Sequence, residues 1–231
     1  MRILVTRPLP DAERTAARLR ALGHEPVVAP VLAIEPSGDP APAGPFDALL
    51  VTSVNAVPAL AGSGLAGPVF AVGPRTGAAL REAGLPAVRV AADALGLAGL
   101  VRTELAAGAR LLHVAGRDRK PEPARSLAEA GFALTTWVAY AAVAAPALPE
   151  AAARALAAGD LDAALHYSRR SAEILLHRAG AAGLETALAA LAHVCISDDA
   201  AVPLRAAGAR TVVAAAQPDE DGLLTALARL A

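Results

Sequence analysis

Short apolar runs alternate with amphipathic stretches along the whole chain. The first run is residues 3–5, and Asp11–Leu22 then has apolar residues at helical spacing up to Gly23, a residue type that commonly ends helices. The later apolar runs are Val27–Val28, Asp47–Val51, Val69–Val72, Ala87–Ala91, Leu111–Ala115, Ala163–Tyr167, His193–Ile196 and Thr211–Ala215. Strands that alternate with helices predict an α/β fold with parallel sheets.

The second half of the sequence echoes the first. Val69–Gly84 matches His193–Gly208, and Asp47–Ser53 matches Asp162–Ser168, in turn residues as well as in apolar positions. A repeat of this length is too long for a solenoid and predicts two small doubly wound domains of about five strands each. The alternative is that any two α/β segments look alike in a chain so rich in alanine.

Two proline-containing segments fit connectors between such domains. Residues 35–45 hold the richest run of proline and glycine and predict an extended connector. Residues 144–149 occupy the corresponding place in the second copy. The chain would therefore cross twice between the two domains.

The composition excludes several classes of protein. The chain has 231 residues, 55% hydrophobic and 19% charged, so it can bury a core and is not disordered. Only 3% of residues are aromatic and the formal net charge is -1, which argues against a nucleic-acid partner. Trp137–Leu148 is too short to span a membrane, and the first residues lack a signal-peptide pattern. We expect a cytoplasmic protein that does not bind membranes, and the single Cys195 excludes an intrachain disulfide.

Small hydroxylic residues and arginines collect where the predicted strands end. In open parallel sheets, ligands bind at the carboxyl ends of strands, where helix N-termini present free N–H groups to anions and arginine clamps carboxylates. The candidate binding residues are Thr6, Arg7, Ser53, Asn55, Arg75, Thr76, Ser168, Arg169, Ser171 and Ser197. The competing explanation is that Ser53, Ser168 and Ser197 only cap helices and that the arginines are solvated.

Tyr140 is the candidate general acid. A phenol is protonated at neutral pH and can donate to a departing hydroxyl group. The alternative is a tyrosine that packs near the second connector. The basic run at residues 117–120 is either a solvated loop or a patch that receives acidic substrate groups.

Established catalytic and metal-binding motifs are missing from the sequence. The five histidines lack metal-ligand spacing, and neither a phosphate loop nor a nucleophile elbow is present. Cys195 lies in an apolar run and is expected to be inert. We expect no metal and no cofactor.

Six motifs, in their order and spacing, make the chain resemble the uroporphyrinogen-III synthase family over essentially its whole length. They are Val5–Pro8, Thr52–Val57, Val72–Thr76 with Leu80 and Gly84, Val138–Tyr140, Tyr167–Ala172, and Cys195–Ser197 with Leu204 and Gly208. The resemblance implies two flavodoxin-like, doubly wound parallel-sheet lobes joined by a two-stranded hinge. One lobe would be discontinuous, residues 1–36 with 141–231, the other would be residues 37–140, and a cleft would lie between them. The repeat pattern alone fits contiguous halves equally well.

The same resemblance implies a reaction. The family closes hydroxymethylbilane into uroporphyrinogen III, with inversion of ring D and loss of water, in heme biosynthesis. It implies no cofactor, a monomer, and hydroxymethylbilane synthase as a transient partner. Tyr140 would be the acid, and the candidate binding residues would hold the carboxylates of the substrate. Asp198 and Asp199 depart from the family pattern, because carboxylates would repel this substrate unless they point away or accept from pyrrole N–H groups.

Two other functions fit the residues. A non-catalytic two-lobed protein that binds an acidic small molecule would use the same strand ends and needs no catalytic group. A nucleotide- or sugar-dependent transferase would need a phosphate loop or an acidic metal site, and the sequence holds neither.

Overall fold

The apolar runs form strands of two largely parallel sheets in the computed structural model, which describes residues 1–85 and 87–230. The predicted α/β fold with parallel sheets is thereby confirmed. The strands are β1 (Arg2–Val5), β2 (Glu25–Val28), β3 (Leu32–Pro36), β4 (Ala48–Val51), β5 (Val69–Val72), β6 (Val88–Ala91), β7 (Arg110–Gly116), β8 (Ala133–Ala144), β9 (Ala163–His166), β10 (Ala192–Cys195) and β11 (Thr211–Ala214). The helices are α1 (Asp11–Ala21), α2 (Val57–Gly62), α3 (Pro74–Glu82), α4 (Ala94–Glu104), α5 (Ala124–Glu129), α6 (Glu150–Ala158), α7 (Arg169–Ala181), α8 (Glu185–Ala189), α9 (Asp198–Ala206) and α10 (Glu220–Ala228), with a 3-10 turn at Val54–Ala56.

The chain divides into two units. Unit 1 comprises Met1–Ala33 with Val143–Ala231, and unit 2 comprises Ile34–Ala142. Strands β3 and β8 each contain a boundary between these ranges. The lobes expected from the sequence are 1–36 with 141–231 and 37–140, and their independence as folding domains stays a prediction. No helix among the described residues is long and apolar enough to cross a membrane.

Unit 1 contains a five-stranded sheet in the order β11-β10-β9-β1-β2, and its paired strands run parallel. Leu4 packs with residues of α6, α7 and α8 on one face, whereas Ile3 and Val5 pack with residues of α1 and α10 on the other. Successive side chains of a strand point to opposite faces, so helices on both faces require a continuous apolar run. This is why the apolar runs of the sequence lack alternation.

Unit 2 carries the strand order β3-β8-β7-β4-β5-β6, with the strands from β8 to β6 paired in parallel. Leu49 and Val51 pack with residues of α2 and α3, and Leu50 packs with Phe70 and residues of α4 and α5. Both sheets therefore bury apolar side chains on both faces.

Strands β3 and β8 are absent from the predicted apolar runs. The sequence pattern marked the region of β8 only as a mild apolar stretch, because alanine and threonine supply many of its residues. The indole N–H of Trp137 in β8 donates to the Asp39 carbonyl at 3.0 Å, in the segment that follows β3. Residues 37–47 contain no helix or strand, whereas residues 35–36 of the predicted 35–45 connector belong to β3. Strands β3 and β8 are neighbours in the six-stranded sheet, and a two-stranded hinge between lobes stays a prediction.

Candidate functional site

A polar cavity of about 360 Å³ lies at the carboxyl ends of strands β4, β5 and β7 of unit 2, beside Tyr140 of β8. Parallel sheets place ligands at this edge. Its lining includes Thr52, Ser53, His113, Gly116, Arg119, Lys120 and Tyr140. The structure therefore brings the candidate acid together with the basic run at residues 117–120 and with one of the candidate binding serines.

Tyr140 is held in place by a break in the register of β7 and β8. The pairing shifts between Ala115 and Gly116, so that Gly116 lies opposite Tyr140. A methyl group at Gly116 would lie 2.8 Å from Cε2 and Cζ of the Tyr140 ring, so only glycine lets the ring pack there. The Arg117 N–H donates to the Tyr140 carbonyl at 2.9 Å and fixes the backbone of the bulge.

Tyr140 also lines a second cavity of unit 2. This cavity measures about 290 Å³ and is bordered by Asn55, Pro36 and Ala139 among others. The side chain of Tyr140 is half-buried. The phenol thus borders two spaces, one of them polar. Its role as the acid stays a prediction, and so does the alternative of a tyrosine that packs near the second connector with its hydroxyl in water.

Ser53 and Asn55 occupy the turn after β4. The Ser53 hydroxyl accepts a hydrogen bond from the Asn55 N–H at 3.3 Å, so Ser53 caps the 3-10 turn, as its competing explanation held. Ser53 lines the polar cavity and Asn55 lines the second one. Arg75 and Thr76 begin α3 outside both cavities, with Arg75 exposed and Thr76 buried.

His113 and Thr52 are functional candidates that the sequence did not single out. His113 is 1% exposed, and its Nε2 lies 3.1 Å from Oγ1 of Thr52. Burial, with a smaller contribution from the positive charge of Arg119, lowers the pKa of His113 to about 4. The imidazole is therefore neutral at physiological pH. The two residues are 61 positions apart, and no local pattern announces their contact.

The loop after β7 supplies the charges of the polar cavity. Arg119 and Lys120 are exposed and contribute positive charge to the lining, and Asp118 and Glu122, which also line the cavity, contribute negative charge. The carboxylate of Glu122 accepts hydrogen bonds from Arg125 at 3.0 Å and from the Ser126 N–H at 3.2 Å. Hydrogen bonding from Ser126, followed by the contacts with Arg125, lowers the pKa of Glu122, so this acid is stabilised as an anion beside the cavity. The basic run is part of a cavity wall as well as a surface loop.

In unit 1, the predicted binder Arg7 is engaged by the protein itself. Its Nη2 donates to Asp11 at 2.8 Å, its Nη1 donates to Thr15 at 3.2 Å, and its guanidinium lies 4.0 Å from the centre of the Tyr167 ring. Nη1 also lies 3.4 Å from Oε1 of Glu220. The expected carboxylate clamp is occupied by side chains of the same unit, because Asp11 lies one helical turn away and Glu220, distant in sequence, folds back onto it.

Glu220 is the centre of this network in unit 1. It accepts hydrogen bonds from Thr15 at 2.6 Å and from the Tyr167 hydroxyl at 3.1 Å. Burial raises the pKa of Glu220, but these hydrogen bonds and the charge of Arg7 outweigh burial and hold the pKa below its usual value. Burial raises the pKa of Tyr167 to about 12, so the phenol stays protonated and continues to donate. The network is internally satisfied.

The remaining hydroxyl candidates of unit 1 have structural partners. Thr6 is fully buried, and its hydroxyl donates to the Leu165 carbonyl at 3.3 Å. Ser168 caps α7 by accepting from the Ser171 N–H at 3.1 Å, and the buried Ser171 hydroxyl donates back to the Ser168 carbonyl at 2.9 Å. Ser197 caps α9. These placements favour the capping explanation, which the sequence analysis held open.

The charged candidates beside these caps also form ion pairs. Arg169 donates to Glu173 at 2.9 Å and lies 3.6 Å from Asp199. Both Nη atoms of Arg205 lie 3.1 Å from one carboxylate oxygen of Asp198. The two aspartates that depart from the family pattern are therefore each paired with an arginine of unit 1. Among the described residues, no group of three or more His, Cys, Asp or Glu side chains is placed to hold a metal ion.

Two doubly wound parallel sheets with polar residues at the strand ends define a ligand-binding α/β protein. Comparison with family models narrows this class. The model described as Uroporphyrinogen-III synthase HemD matches residues 13–225. The chain therefore belongs to the uroporphyrinogen-III synthase family, and the resemblance seen in the six motifs is confirmed.

Solved structures with the same fold include two proteins of this name. The uroporphyrinogen-III synthetase from Helicobacter pylori is 17% identical, with 100% of each chain covered and a TM-score of 0.64. A mutant uroporphyrinogen III synthase from the extremely thermophilic bacterium Thermus thermophilus is 22% identical, with a TM-score of 0.55 over 100% of this chain and 98% of that one. At these levels of sequence identity, the comparison shows that this chain and the two solved structures share a fold. A search of curated proteins found no match to the chain.

Proposed function

We propose that this chain closes hydroxymethylbilane to uroporphyrinogen III, the hydro-lyase reaction of its family in tetrapyrrole biosynthesis. Membership of the uroporphyrinogen-III synthase family supports the activity. The observation that carries the assignment within the chain is the polar cavity of unit 2, where the Tyr140 phenol and the basic residues Arg119 and Lys120 line one space. A proton donor and cations for carboxylates are the two things that this reaction asks of a protein.

Tyr140 acts as the general acid in this proposal. The C–O bond of the terminal hydroxymethyl group breaks, the phenol proton passes to the departing oxygen, and water leaves. The electron pair of the pyrrole nitrogen stabilises the remaining carbon as an azafulvenium cation, which keeps its N–H and is balanced by the phenolate. A positioned acid of this kind contributes roughly 10²- to 10⁴-fold in rate.

Control of ring closure is the second task. In water, the bilane closes without inversion to the I isomer. The protein must hold the chain so that the substituted position of ring D attacks the electron-poor carbon on ring A, which gives a spiro intermediate. Holding reacting groups in one geometry is what proximity and orientation supply. The carboxylates of the substrate are the handles for this orientation.

We propose that backbone N–H groups at the strand-end turns hold these carboxylates together with exposed side chains. The hydroxyls of Thr6, Thr76 and Ser171 are buried, so a role for these three residues would come from their backbone. Ser53, Asn55, Arg75, Ser168, Arg169 and Ser197 stay candidate binders on the carboxyl edges of the two sheets. Because backbone amides survive side-chain changes, single substitutions of capping residues are expected to have small effects on turnover.

We further propose that the protein works in the cytoplasm as a monomer without a cofactor, and that hydroxymethylbilane synthase delivers its labile substrate in a transient contact. Light scattering coupled to gel filtration is expected to give one mass near 23.1 kDa. A stable dimer would contradict the monomer. Activity that survives exhaustive dialysis against a chelator supports the absence of a metal requirement.

The deciding experiment generates hydroxymethylbilane in place, with and without the protein, and separates the oxidised products by isomer. The proposal predicts that isomer III dominates when the protein is present. If folded protein leaves only isomer I, the proposal is wrong for this chain. Tight binding of the tetrapyrrole without turnover would then favour the non-catalytic binding protein.

A further inference from the structure

His113 is a polar residue in a place where an aliphatic residue would pack. Its neighbours Leu111, Leu112 and Val114 along β7 are fully buried. The Nδ1 atom of His113 is also buried, and it has no hydrogen-bond partner among the described residues. A buried polar atom without a partner lowers stability, so packing gives no reason for a histidine here.

The unpartnered nitrogen indicates which tautomer is present. The lowered pKa leaves the neutral imidazole with a single N–H. Buried N–H groups without an acceptor are rarer in proteins than buried acceptors whose lone pair has no donor. The hydrogen therefore belongs on Nε2 and the unpartnered lone pair on Nδ1. Nε2, at 3.1 Å from Oγ1 of Thr52, is then the donor of that hydrogen bond.

This direction determines what the Thr52 hydroxyl can do. An oxygen that already accepts from His113 directs its own hydrogen toward a different acceptor. Thr52 is half-buried, and it lines the polar cavity with Arg119, Lys120 and Tyr140. Asp118 and Glu122 line the same cavity, and Glu122 is already engaged by Arg125. Arg119 and Lys120 still offer cations to a ligand, and an anion that they hold is the acceptor best matched to this hydroxyl.

We infer that His113 is a positioning residue that orients the Thr52 hydroxyl as a hydrogen-bond donor into the polar cavity, where Thr52 binds a carboxylate of the tetrapyrrole. The inference rests on the proposed function for the identity of the anion. It adds a specific role for the one buried histidine of this cavity, whose side chain is set to act through Thr52 and not on the substrate itself.

Three variants test the inference. His113→Leu removes the N–H, Thr52→Val removes the hydroxyl while keeping the shape, and His113→Gln retains an N–H that can reach the same oxygen. In the coupled assay, His113→Leu and Thr52→Val are each expected to raise KM by roughly tenfold, as loss of a hydrogen bond to a charged group does, with a smaller effect on kcat. His113→Gln is expected to recover most of the loss. The double variant should lose no more than Thr52→Val alone, because both changes remove the same donor.

Thermal unfolding separates this role from a structural one. His113→Leu is expected to melt at the wild-type temperature or above, because it removes an unpartnered buried nitrogen. A raised KM in a protein of unchanged or greater stability supports the inference. A His113→Leu variant that keeps the wild-type KM overturns it, as does one whose loss of activity only follows a loss of folded protein.

Direct binding keeps the test independent of catalysis. Uroporphyrin III, the stable oxidised product with the same carboxylates, is the probe, and calorimetry gives its affinity. Affinity that falls in both His113→Leu and Thr52→Val supports the inference even if the wild-type chain yields only isomer I. Affinity that is unchanged in both variants overturns it even if the synthase activity is confirmed.

Discussion

The two sheet edges of this molecule carry similar residues and use them differently. In unit 1, the donors of Arg7, Thr15 and Tyr167 converge on Glu220 within one unit, and the network satisfies itself. In unit 2, Tyr140 borders two cavities, and the exposed Arg119 and Lys120 line one of them. An edge of the first kind stabilises a fold, whereas an edge of the second kind has donors to offer a ligand.

The difference shows that the two copies of the repeat share the positions of their strand-end turns but not the residue types in those turns. The first copy has Gly73-Pro74-Arg75 where the second has Ser197-Asp198-Asp199. In unit 1, Arg205 and Arg169 pair with those two aspartates. Added acids convert cations at a strand end into internal ion pairs. The edge of unit 2 is therefore our candidate for the chemical step.

The two tyrosines give the largest expected contrast. Tyr140→Phe should lower kcat by roughly 10²- to 10⁴-fold while substrate binding survives, because only the acid is lost. Tyr167→Phe, the matched control in unit 1, should keep turnover and lose roughly 1 kcal/mol of stability with its hydrogen bond to Glu220. The coupled isomer assay and urea unfolding measure the two effects. Unchanged turnover in Tyr140→Phe would return this residue to a packing role.

The charged residues should separate stability from binding. Glu220→Gln removes the carboxylate that accepts from Thr15 and Tyr167 and lies 3.4 Å from Arg7, so it should lower the free energy of unfolding by about 1–3 kcal/mol with little change in KM. Arg119→Ala removes an exposed side chain, so it should change stability by less than about 0.5 kcal/mol and raise KM. Denaturant titration and steady-state kinetics on both variants decide. A raised KM in Glu220→Gln together with lost stability in Arg119→Ala would contradict the contrast between the two sheet edges.

The bulge that holds Tyr140 should tolerate no side chain. Gly116→Ala places a methyl group against the phenol ring, so the ring must move and kcat should fall by about tenfold. Gly99→Ala is the matched control, because Gly99 is exposed in α4 with open space around it, and alanine there should stabilise the helix by up to about 1 kcal/mol. Full activity of Gly116→Ala would show that the ring position does not matter.

A buried histidine pair should make stability depend on pH. His193 Nε2 lies 3.0 Å from the Leu188 carbonyl and so donates to it, which leaves its Nδ1 to accept from His166 at 2.9 Å. Burial, with the neighbouring His193, lowers the pKa of His166 to about 3, and burial lowers the pKa of His193 as well. The unfolded chain then binds protons below about pH 6.5 that the folded chain does not, so stability falls as pH falls.

The size of this effect is modest near neutrality. Between pH 7 and pH 6, the pair and the buried His113, whose pKa burial also lowers, should together lose roughly 2 kcal/mol of unfolding free energy, a range in which carboxylates do not titrate. Urea unfolding at the two pH values measures the change. Substitution of the exposed His177 by glutamine should leave this difference in stability between pH 7 and pH 6 unchanged. Equal stability at pH 7 and pH 6 would contradict the buried neutral pair.

The parallel sheets could be predicted from the sequence because both faces of each sheet are covered. Such strands are continuous apolar runs, and Ile3–Val5 or Ala48–Val51 can be recognised without knowing their neighbours. The caps at Ser53, Ser168 and Ser197 follow from local hydrogen bonding within three residues. Strand β8 was not predicted, because its small residues show neither the alternation of a half-buried strand nor the spacing of a helix.

The sequence could predict that the site lies at strand ends, but it could not predict which side chains meet there. Sequence placed Tyr140 and the 117–120 loop near functional edges, but the register shift that sets Gly116 against Tyr140 arises from pairing between separate strands. The same holds for Thr52 with His113. Arg7 was expected to be a binder because Glu220, 213 positions away, carries no local sign that it folds back onto it.

Amide hydrogen exchange with and without uroporphyrin III tests the central claim most directly. The account predicts that the tetrapyrrole slows exchange in residues 52–56, 115–120 and 138–141 of unit 2, while residues 7–15 and 219–222 around Glu220 keep their rates. Protection confined to the Arg7–Glu220 network, with no change at the edge of unit 2, would contradict it.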